Sequence, residues 1–367
     1  MDRRPATRAR RRLGHPRGAR HGGSAAVRAR LCPAPLRARP GRSTTVIVLW
    51  RLTTLCNLAC GFCAYDRRVR QPRVHMPAAE VERVADLFVR YQQRSGQPVL
   101  LSWLGGEPLL WPGLLPLSQR LRQQGLRISM TSNGTRAWQP GAAQALAEAF
   151  DEITFSIDAP GPMHDALRGW PGGARRLEQA IRALAGQCVG ENQSRPRLRA
   201  NVVLMHPTLE HFSDLCLQLA DWGVDEITFN QLGGRDRPLF HRQHALTAVD
   251  VAQLRHALPA LAVQLAERGV QLHAQPAYLD RFHASAIGAA LPVLDCEARR
   301  PTLFIDEHGR IGACSFTVDT HAIDSRDLRQ PDDLDTLRER LRQQRLQTPA
   351  AVCGDCPSTQ VFAKFGT

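Results

Sequence analysis

Hydrophobic positions along the chain follow two spacings in turn. From residue 46 onward, short apolar runs typical of buried strands alternate with stretches whose apolar residues recur every three or four positions, as in amphipathic helices. Six strands are predicted in this way: Val46–Leu52, Val99–Trp103, Leu126–Met130, Ile153–Ile157, Leu198–Met205 and Glu226–Asn230. The six helices predicted to follow them are Pro77–Gln93, Leu114–Gln123, Ala142–Ala149, Arg175–Ala185, Leu209–Asp221 and Val249–Glu267.

This alternation indicates an α/β fold built on a parallel sheet. In such folds the working residues lie at the carboxyl ends of the strands. Glycine and polar residues follow several strands here, as in Gly105-Gly106, Asn133-Gly134 and Gly233-Gly234. We therefore expect a functional edge where these turns meet.

The strand–helix rhythm breaks near residue 270. Leu303–Asp306 and Arg310–Cys314 predict a hairpin around His308-Gly309, and Leu334–Gln344 predicts one more helix. This portion is too small and polar to build a core of its own, so a metal site is expected to stabilise it.

Composition is that of a globular protein, with 43% hydrophobic and 22% charged residues. The net charge of +14 is unevenly placed, since residues 1–45 carry thirteen Arg and one acidic residue and the other 322 residues carry a net +2. We expect a disordered Arg-rich leader at 1–45, with an RNA-binding or targeting arm as the alternative. No stretch approaches the ~20 apolar residues of a membrane span or the apolar core of a signal peptide.

Ten cysteines in a chain without a secretory signal point to metal ligation in a reducing compartment, so we expect a cytoplasmic location. Cys56, Cys60 and Cys63 follow the first predicted strand directly. Three thiolates would leave one iron of a four-iron cluster open to another ligand, whereas an electron-transfer cluster normally has all four filled. A zinc site would need a fourth ligand, and the nearest candidate, His75, lies twelve residues further on.

The spacing of these cysteines, with the aromatic Phe62 just before the third, resembles the hallmark of the radical S-adenosylmethionine (radical SAM) superfamily. The resemblance implies a partial (β/α)6 TIM-like barrel over residues 46–270. It also implies a [4Fe–4S] cluster whose open iron binds S-adenosylmethionine (SAM), with a reductant such as flavodoxin or ferredoxin. The reduced cluster would cleave SAM to a 5′-deoxyadenosyl radical that takes a hydrogen atom from the substrate.

The same resemblance assigns cofactor contacts to residues that follow later strands. Gly105, Gly106 and Glu107 would hold the methionine amino group, and Arg168 would face the carboxylate. Asn133, Ser156 and Asp158 would touch the ribose or the methionine part. The alternatives are turn or cap roles for the polar residues and an ordinary surface ion pair for Arg168.

A second group of cysteines comprises Cys296, Cys314, Cys353 and Cys356. Four thiolates can close a second [4Fe–4S] cluster or a structural zinc site. The layout resembles the shortened (twitch) form of the SPASM auxiliary-cluster domain of radical enzymes, here over residues 271–367. That resemblance favours peptide modification or the maturation of a cofactor or natural product, and a peptide substrate.

Two other classes of protein remain open at this point. A non-catalytic iron–sulfur carrier would have a fourth ligand on the first cluster and no affinity for SAM. A zinc protein that binds nucleic acid is suggested by the basic leader, but the nearly neutral body of the chain argues against it. No catalytic acid, base or radical relay residue is assigned by the sequence, and the candidates for these roles are Tyr65, Tyr278 and the cysteines outside the two groups.

Overall fold

The computed structural model of this chain describes residues 45–63, 73–187, 195–233, 238–296, 302–362 and 364. All of them belong to one compact unit. The Arg-rich leader expected at 1–45 lies outside the described residues except for residue 45, as do Cys32, Tyr65, Cys188 and Gly234.

The described strands number ten and the described α-helices also number ten. The strands are β1 Val46–Thr53, β2 Val99–Gly105, β3 Arg127–Ser132, β4 Glu152–Ser156, β5 Arg197–Leu204, β6 Glu226–Gln231, β7 Gln271–Leu272, β8 Thr302–Ile305, β9 Arg310–Gly312 and β10 Ile323–Asp324. The helices are α1 Ala78–Ser95, α2 Leu114–Gln123, α3 Ala142–Ala149, α4 Gly161–Arg168, α5 Gly173–Ala185, α6 Phe212–Trp222, α7 Pro238–His244, α8 Ala248–Glu267, α9 Pro276–Ala286 and α10 Asp333–Gln347.

All ten strands join one sheet, in the order β10-β9-β8-β1-β2-β3-β4-β5-β6-β7. Every pairing from β8 through β7 is parallel, and only β8–β9 and β9–β10 are antiparallel. This parallel-rich sheet with its crossover helices confirms the predicted α/β partial barrel.

Alternating burial along the strands explains how the sheet is built. In β1, Val48, Trp50 and Leu52 are fully buried in the core, while the intervening Leu49 and Arg51 are only half-buried. Because side chains on a strand point to opposite faces in turn, one face packs on the helices and the other lines the inside of the barrel.

The predicted hairpin near residue 308 is confirmed, since β8 and β9 pair with Phe304 opposite Gly312. Its first strand lies parallel to β1 at the other side from β2, so the hairpin continues the barrel sheet rather than standing apart from it. The division of the chain near residue 270 stays a prediction. None of the described helices is both long and apolar enough to cross a bilayer.

Candidate functional site

The loop that carries the first three cysteines begins where β1 ends. Cys60 is buried, and Cys56 and Cys63 are half-buried. A tight turn closes the loop, because the amide of Cys63 donates to the carbonyl of Cys60 at 3.1 Å. The sulfur of Cys56 accepts from the amide of Leu58 at 3.5 Å, the kind of contact that backbone amides make to cluster thiolates.

The surroundings of these thiols oppose ionisation unless a cation is present. Burial raises the pKa of Cys56, and the charges of Glu107 and Cys63 raise it further. Burial also raises the pKa of Cys60 to about 11, and the nearby Arg168 counteracts this only in part. Bound iron would supply the missing positive charge, so the donor set fits a cluster with three protein ligands.

No three Cys, His, Asp or Glu side chains within the described ranges converge closely enough to hold a single metal ion. The fit of the first group to a cluster therefore rests on its donor chemistry and surroundings. The assignment of all seven cysteines as ligands stays a prediction.

Two glycines let the loop after β2 lie directly on the cysteine loop. A Cβ on Gly105 would lie 2.6 Å from the carbonyl oxygen of Thr53, and one on Gly106 would lie 2.2 Å from that of Leu55. Only glycine permits this approach, in which the amides of Gly106 and Glu107 donate to the carbonyls of Thr53 and Leu55 at 2.8 Å each. The glycines thus have a packing role whatever they contribute to SAM.

Glu107 joins the loops that follow β2 and β3. Its fully buried carboxylate accepts from the hydroxyl of Ser132 and the amide of Asn133, both at 2.8 Å, and from the amide of Leu109 at 3.2 Å. Burial raises its pKa, and these three donors favour the charged form. The structure therefore gives Glu107 a loop-joining role, and its contact with the SAM amino group stays a prediction.

Asn133 reaches from the end of β3 back to the cysteine loop. Its amide nitrogen lies 3.6 Å from the sulfur of Cys56 and 3.0 Å from the side-chain oxygen of Asn57. Its own oxygen accepts from the amide and hydroxyl of Thr135 at 2.9 and 2.7 Å. Asn133 is thus both a turn residue and a neighbour of the predicted cluster.

Asp158 and Arg168 form a buried ion pair behind the cysteines, with 2.7 Å between Nε of Arg168 and Oδ2 of Asp158. The other oxygen of Asp158 accepts from the amide of Val203 at 2.9 Å. The guanidinium also lies over the ring of Phe62 at 5.2 Å, and the Arg168 carbonyl is 3.9 Å from the sulfur of Cys60. Arg168 is therefore not a surface ion-pair residue.

The ribose contact predicted for Asp158 is not tested by this geometry, but both of its oxygens already have partners. Ser156, two residues earlier, is half-buried and makes no hydrogen bond through its hydroxyl to the described residues. Ser156, rather than Asp158, therefore has a polar side-chain group available for a ligand.

His164 lies beside the Asp158–Arg168 ion pair and was not singled out from the sequence. Its Nδ1 accepts from the amide of Asp158 at 3.2 Å, so the Asp158 loop is fixed from below. The Nε2 atom is buried and has no hydrogen-bond partner among the described residues. Burial, followed by the charge of Arg168, lowers the pKa of His164 to about 4, which keeps the imidazole neutral.

A second polar group on the inside of the barrel was also missed. Lys364 is buried and donates to the side-chain oxygens of Asn201 on β5 and Asn230 on β6, at 3.1 and 2.8 Å. The hydroxyl of Tyr278 donates to the carbonyl of Phe229 at 2.8 Å and lies 3.1 Å from the same oxygen of Asn230. Lys364 is the only lysine in the chain, and that singularity was the available signal.

The four later cysteines come together at a second site beyond β9. Burial raises the pKa of Cys356 to about 11, and the charges of Cys314, Cys353 and Cys296 add to it. Two backbone hydrogen bonds join the segment before Cys296 to the Cys353–Cys356 segment. The amide of Val293 donates to the carbonyl of Cys353 at 2.9 Å, and the amide of Cys356 donates to the carbonyl of Leu291 at 3.0 Å. Four thiols in one region of the fold, near enough to act on each other's ionisation, would suit a cluster or a zinc ion held by four sulfurs.

The comparisons with known proteins agree with the first site. Residues 50–188 match the Radical SAM superfamily profile, so this part of the chain is a radical SAM domain. A domain of this superfamily implies a [4Fe–4S] cluster and SAM, in keeping with the three thiols described above.

Curated relatives are similar over part of their length. An AdoMet-dependent heme synthase of Nitratidesulfovibrio vulgaris is 28% identical over 151 residues, which cover 41% of this chain and 39% of the relative. A GTP 3′,8-cyclase of Synechococcus sp. is 33% identical over 186 residues, which cover 46% and 51%. The mycofactocin maturase MftC of Mycolicibacterium smegmatis is 25% identical over 283 residues, covering 76% and 66%. This chain thus spans about two fifths to two thirds of the length of these relatives.

Solved structures share the fold. SuiB of Streptococcus suis, bound to S-adenosylmethionine, is 17% identical with a TM-score of 0.61, and the match covers 89% of this chain and 73% of SuiB. The protein anSMEcpe with bound AdoMet is 15% identical with a TM-score of 0.57, covering 82% and 84%. At these identities the likeness speaks for the architecture.

Proposed function

We propose that this protein is a radical SAM enzyme that acts in peptide modification or in the maturation of a cofactor or natural product. The observation that carries the proposal is that the loop with the three cysteines contacts the segments that follow β2, β3 and β4. When bound, the cluster would supply the electron that cleaves SAM, and the resulting 5′-deoxyadenosyl radical would abstract a hydrogen atom from the substrate.

The residues of the chain then divide the remaining tasks. Cys56, Cys60 and Cys63 would hold the cluster and leave one iron without a protein ligand, to which SAM could bind. Gly105 and Gly106 bring the loop after β2 against the cysteine loop, and Glu107 fixes that loop to the end of β3. The backbone and polar groups of this edge would orient the amino acid part of SAM.

Arg168 supplies positive charge next to Cys60, and its pairing with Asp158 keeps it in place. A planar guanidinium in this position suits the SAM carboxylate. The ring of Phe62 covers one side of the Arg168 guanidinium. Asn133 and Ser156 present polar groups at the neighbouring strand ends, where ribose hydroxyls would be bound.

The second cysteine site supports an auxiliary [4Fe–4S] cluster in a twitch-type domain over residues 271–367. Peptide modification is supported by SuiB, which has the same fold and has been solved bound to the precursor peptide SuiA. Cofactor maturation is supported by the names of the heme synthase, cyclase and mycofactocin relatives. A flavodoxin or ferredoxin is the proposed reductant, and the reduced cytoplasm is the proposed compartment because free thiols must accept iron there.

The test is anaerobic reconstitution with iron and sulfide, followed by reductant and SAM, with 5′-deoxyadenosine as the measured product. The wild-type protein should form it, and Cys60→Ala should not. Cys216→Ala is the matched control, because Cys216 is fully buried in the core on α6 and belongs to neither cysteine group. Undiminished product from Cys60→Ala would overturn the proposal.

Metal analysis tests the second site separately. Replacing Cys353 by Ala should lower the iron content while the first site stays loaded. Zinc in place of iron, or unchanged iron, would reject the auxiliary cluster without touching the first assignment. A non-catalytic carrier would retain both clusters and form no 5′-deoxyadenosine.

A further inference from the structure

One arginine of α10 lies buried against a thiol of the second cysteine site. Arg345 is 5% exposed, its Nη1 donates to the sulfur of Cys296, and its Nε donates to the carbonyl of Leu341 at 3.3 Å. Removing a guanidinium from water is costly unless negative charge repays the loss. Arg340, on the same helix, is instead exposed to solvent.

The helix holds the cysteine segment in register with this arginine. One turn before Arg345, Arg342 binds the carboxylate of Asp295 through Nε and Nη2, at 2.9 and 2.7 Å. Asp295 and Cys296 are neighbours in the chain, so Arg342 and Arg345 bind two consecutive residues. The contact between Arg345 and Cys296 is thereby fixed by a second, independent ion pair.

The charge of Arg345 acts on more than Cys296. It opposes the rise that burial and the charges of Cys314 and Cys296 cause in the pKa of Cys353. The other buried arginine of this region, Arg281, is paired with the carboxylate of Asp355 and is also hydrogen-bonded to the carbonyl of Cys356. Of these two buried arginines, Arg345 is the one that donates a hydrogen bond to a cysteine sulfur.

We propose that Arg345 sets the reduction potential of the second cluster by donating to the Cys296 sulfur. The inference rests on the auxiliary cluster proposed above. Four thiolates around a [4Fe–4S]2+ core carry a net charge of about −2, and one added electron gives the [4Fe–4S]+ core without breaking a bond. A buried cation and its N–H donor stabilise the more negative state, so Arg345 raises the potential.

The test uses the full chain with Cys56, Cys60 and Cys63 replaced by Ala, so that only the second cluster is present. Potentiometric titration followed by electron paramagnetic resonance gives its midpoint potential. In this background Arg345→Gln should lower the equilibrium constant for reduction at least tenfold, about 59 mV for one electron. Arg345→Lys keeps a charge but loses the planar fork, and should give a smaller drop.

Arg340→Gln is the matched control, because it removes one charge from the exposed face of the same helix and should leave the potential unchanged. An Arg345→Gln variant that keeps its iron and its wild-type potential overturns the inference. Should that variant fail to retain iron, Arg345→Lys decides, and an undiminished potential there overturns it equally. Zinc without iron at this site would reject the auxiliary cluster and the inference with it, a result that the iron content separates from the others.

Discussion

Replacing Gly106 by Ala tests whether the loop after β2 must lie directly on the cysteine loop. The added Cβ would lie 2.2 Å from the oxygen and 2.5 Å from the carbon of the Leu55 carbonyl, and 2.9 Å from the oxygen of Thr54. All three are backbone atoms, so no side chain can turn away. Ordinary carbon–oxygen contacts are about 3.3 Å, so the two loops must separate by about 1 Å.

A separation of about 1 Å breaks the two backbone hydrogen bonds that join the loops, each 2.8 Å long in the native protein. At about 1 kcal/mol for each bond, the free energy of unfolding should fall by about 2 kcal/mol. The activity should fall further, because a displacement of about 1 Å near a reaction centre can cost on the order of 100-fold in rate.

Two assays measure these effects: denaturant unfolding for stability and the rate of 5′-deoxyadenosine formation for activity. Gly186→Ala is the matched control, since Gly186 has a helical φ of −85° and an added Cβ would lie no nearer than 3.5 Å to its neighbours. That variant should be neutral or slightly stabilised. Wild-type stability and rate in Gly106→Ala would refute the packing argument.

Two further predictions concern buried charges. Arg168→Met should lower the free energy of unfolding by about 3 kcal/mol, because it leaves the Asp158 carboxylate buried without its cation. Combining Arg168→Met with Asp158→Asn should recover most of that loss. Equal stability of the single and double variants would contradict this. Burial lowers the pKa of Lys364 from 10.5 to about 7, so between those values the unfolded chain binds the extra proton and stability should rise with pH. In Lys364→Met this rise of stability with pH should disappear. In the wild type, the NMR signal of the labelled lysine should titrate near pH 7. A titration near pH 10.5 would show that the amine is not buried in solution.

The sheet was predictable from the sequence because each long strand has its own local signature. Alternating burial marks β1 and β5, and the glycine and polar residues that follow β2 and β3 do meet at one edge. The short strands β7 and β10, with two residues each, hold too few positions to show a period. Helix α4 was missed because it begins with Gly161-Pro162, which favours a turn when the local sequence alone is considered.

For the candidate site, the sequence pointed to residues that the structure places near one another, but it did not give their partners. The spacing of Cys56, Cys60 and Cys63 gave the loop, whereas the pairing of Asp158 with both Arg168 and Val203 depends on how β4 and β5 pack. Lys364 lies 163 positions from Asn201 in the chain, and no local pattern reports a contact over that distance. Long-range polar contacts of this kind follow from the tertiary fold.

The most direct test of the central claim is the electron paramagnetic resonance spectrum of the reduced first cluster, recorded in the full chain with Cys353 and Cys356 replaced by Ala, before and after addition of SAM labelled with 15N at the amino group. We expect a cluster signal that changes on addition of SAM and shows coupling to the 15N nucleus, because one iron has no protein ligand. A signal that is indifferent to SAM, or the absence of iron at Cys56, Cys60 and Cys63, would contradict it.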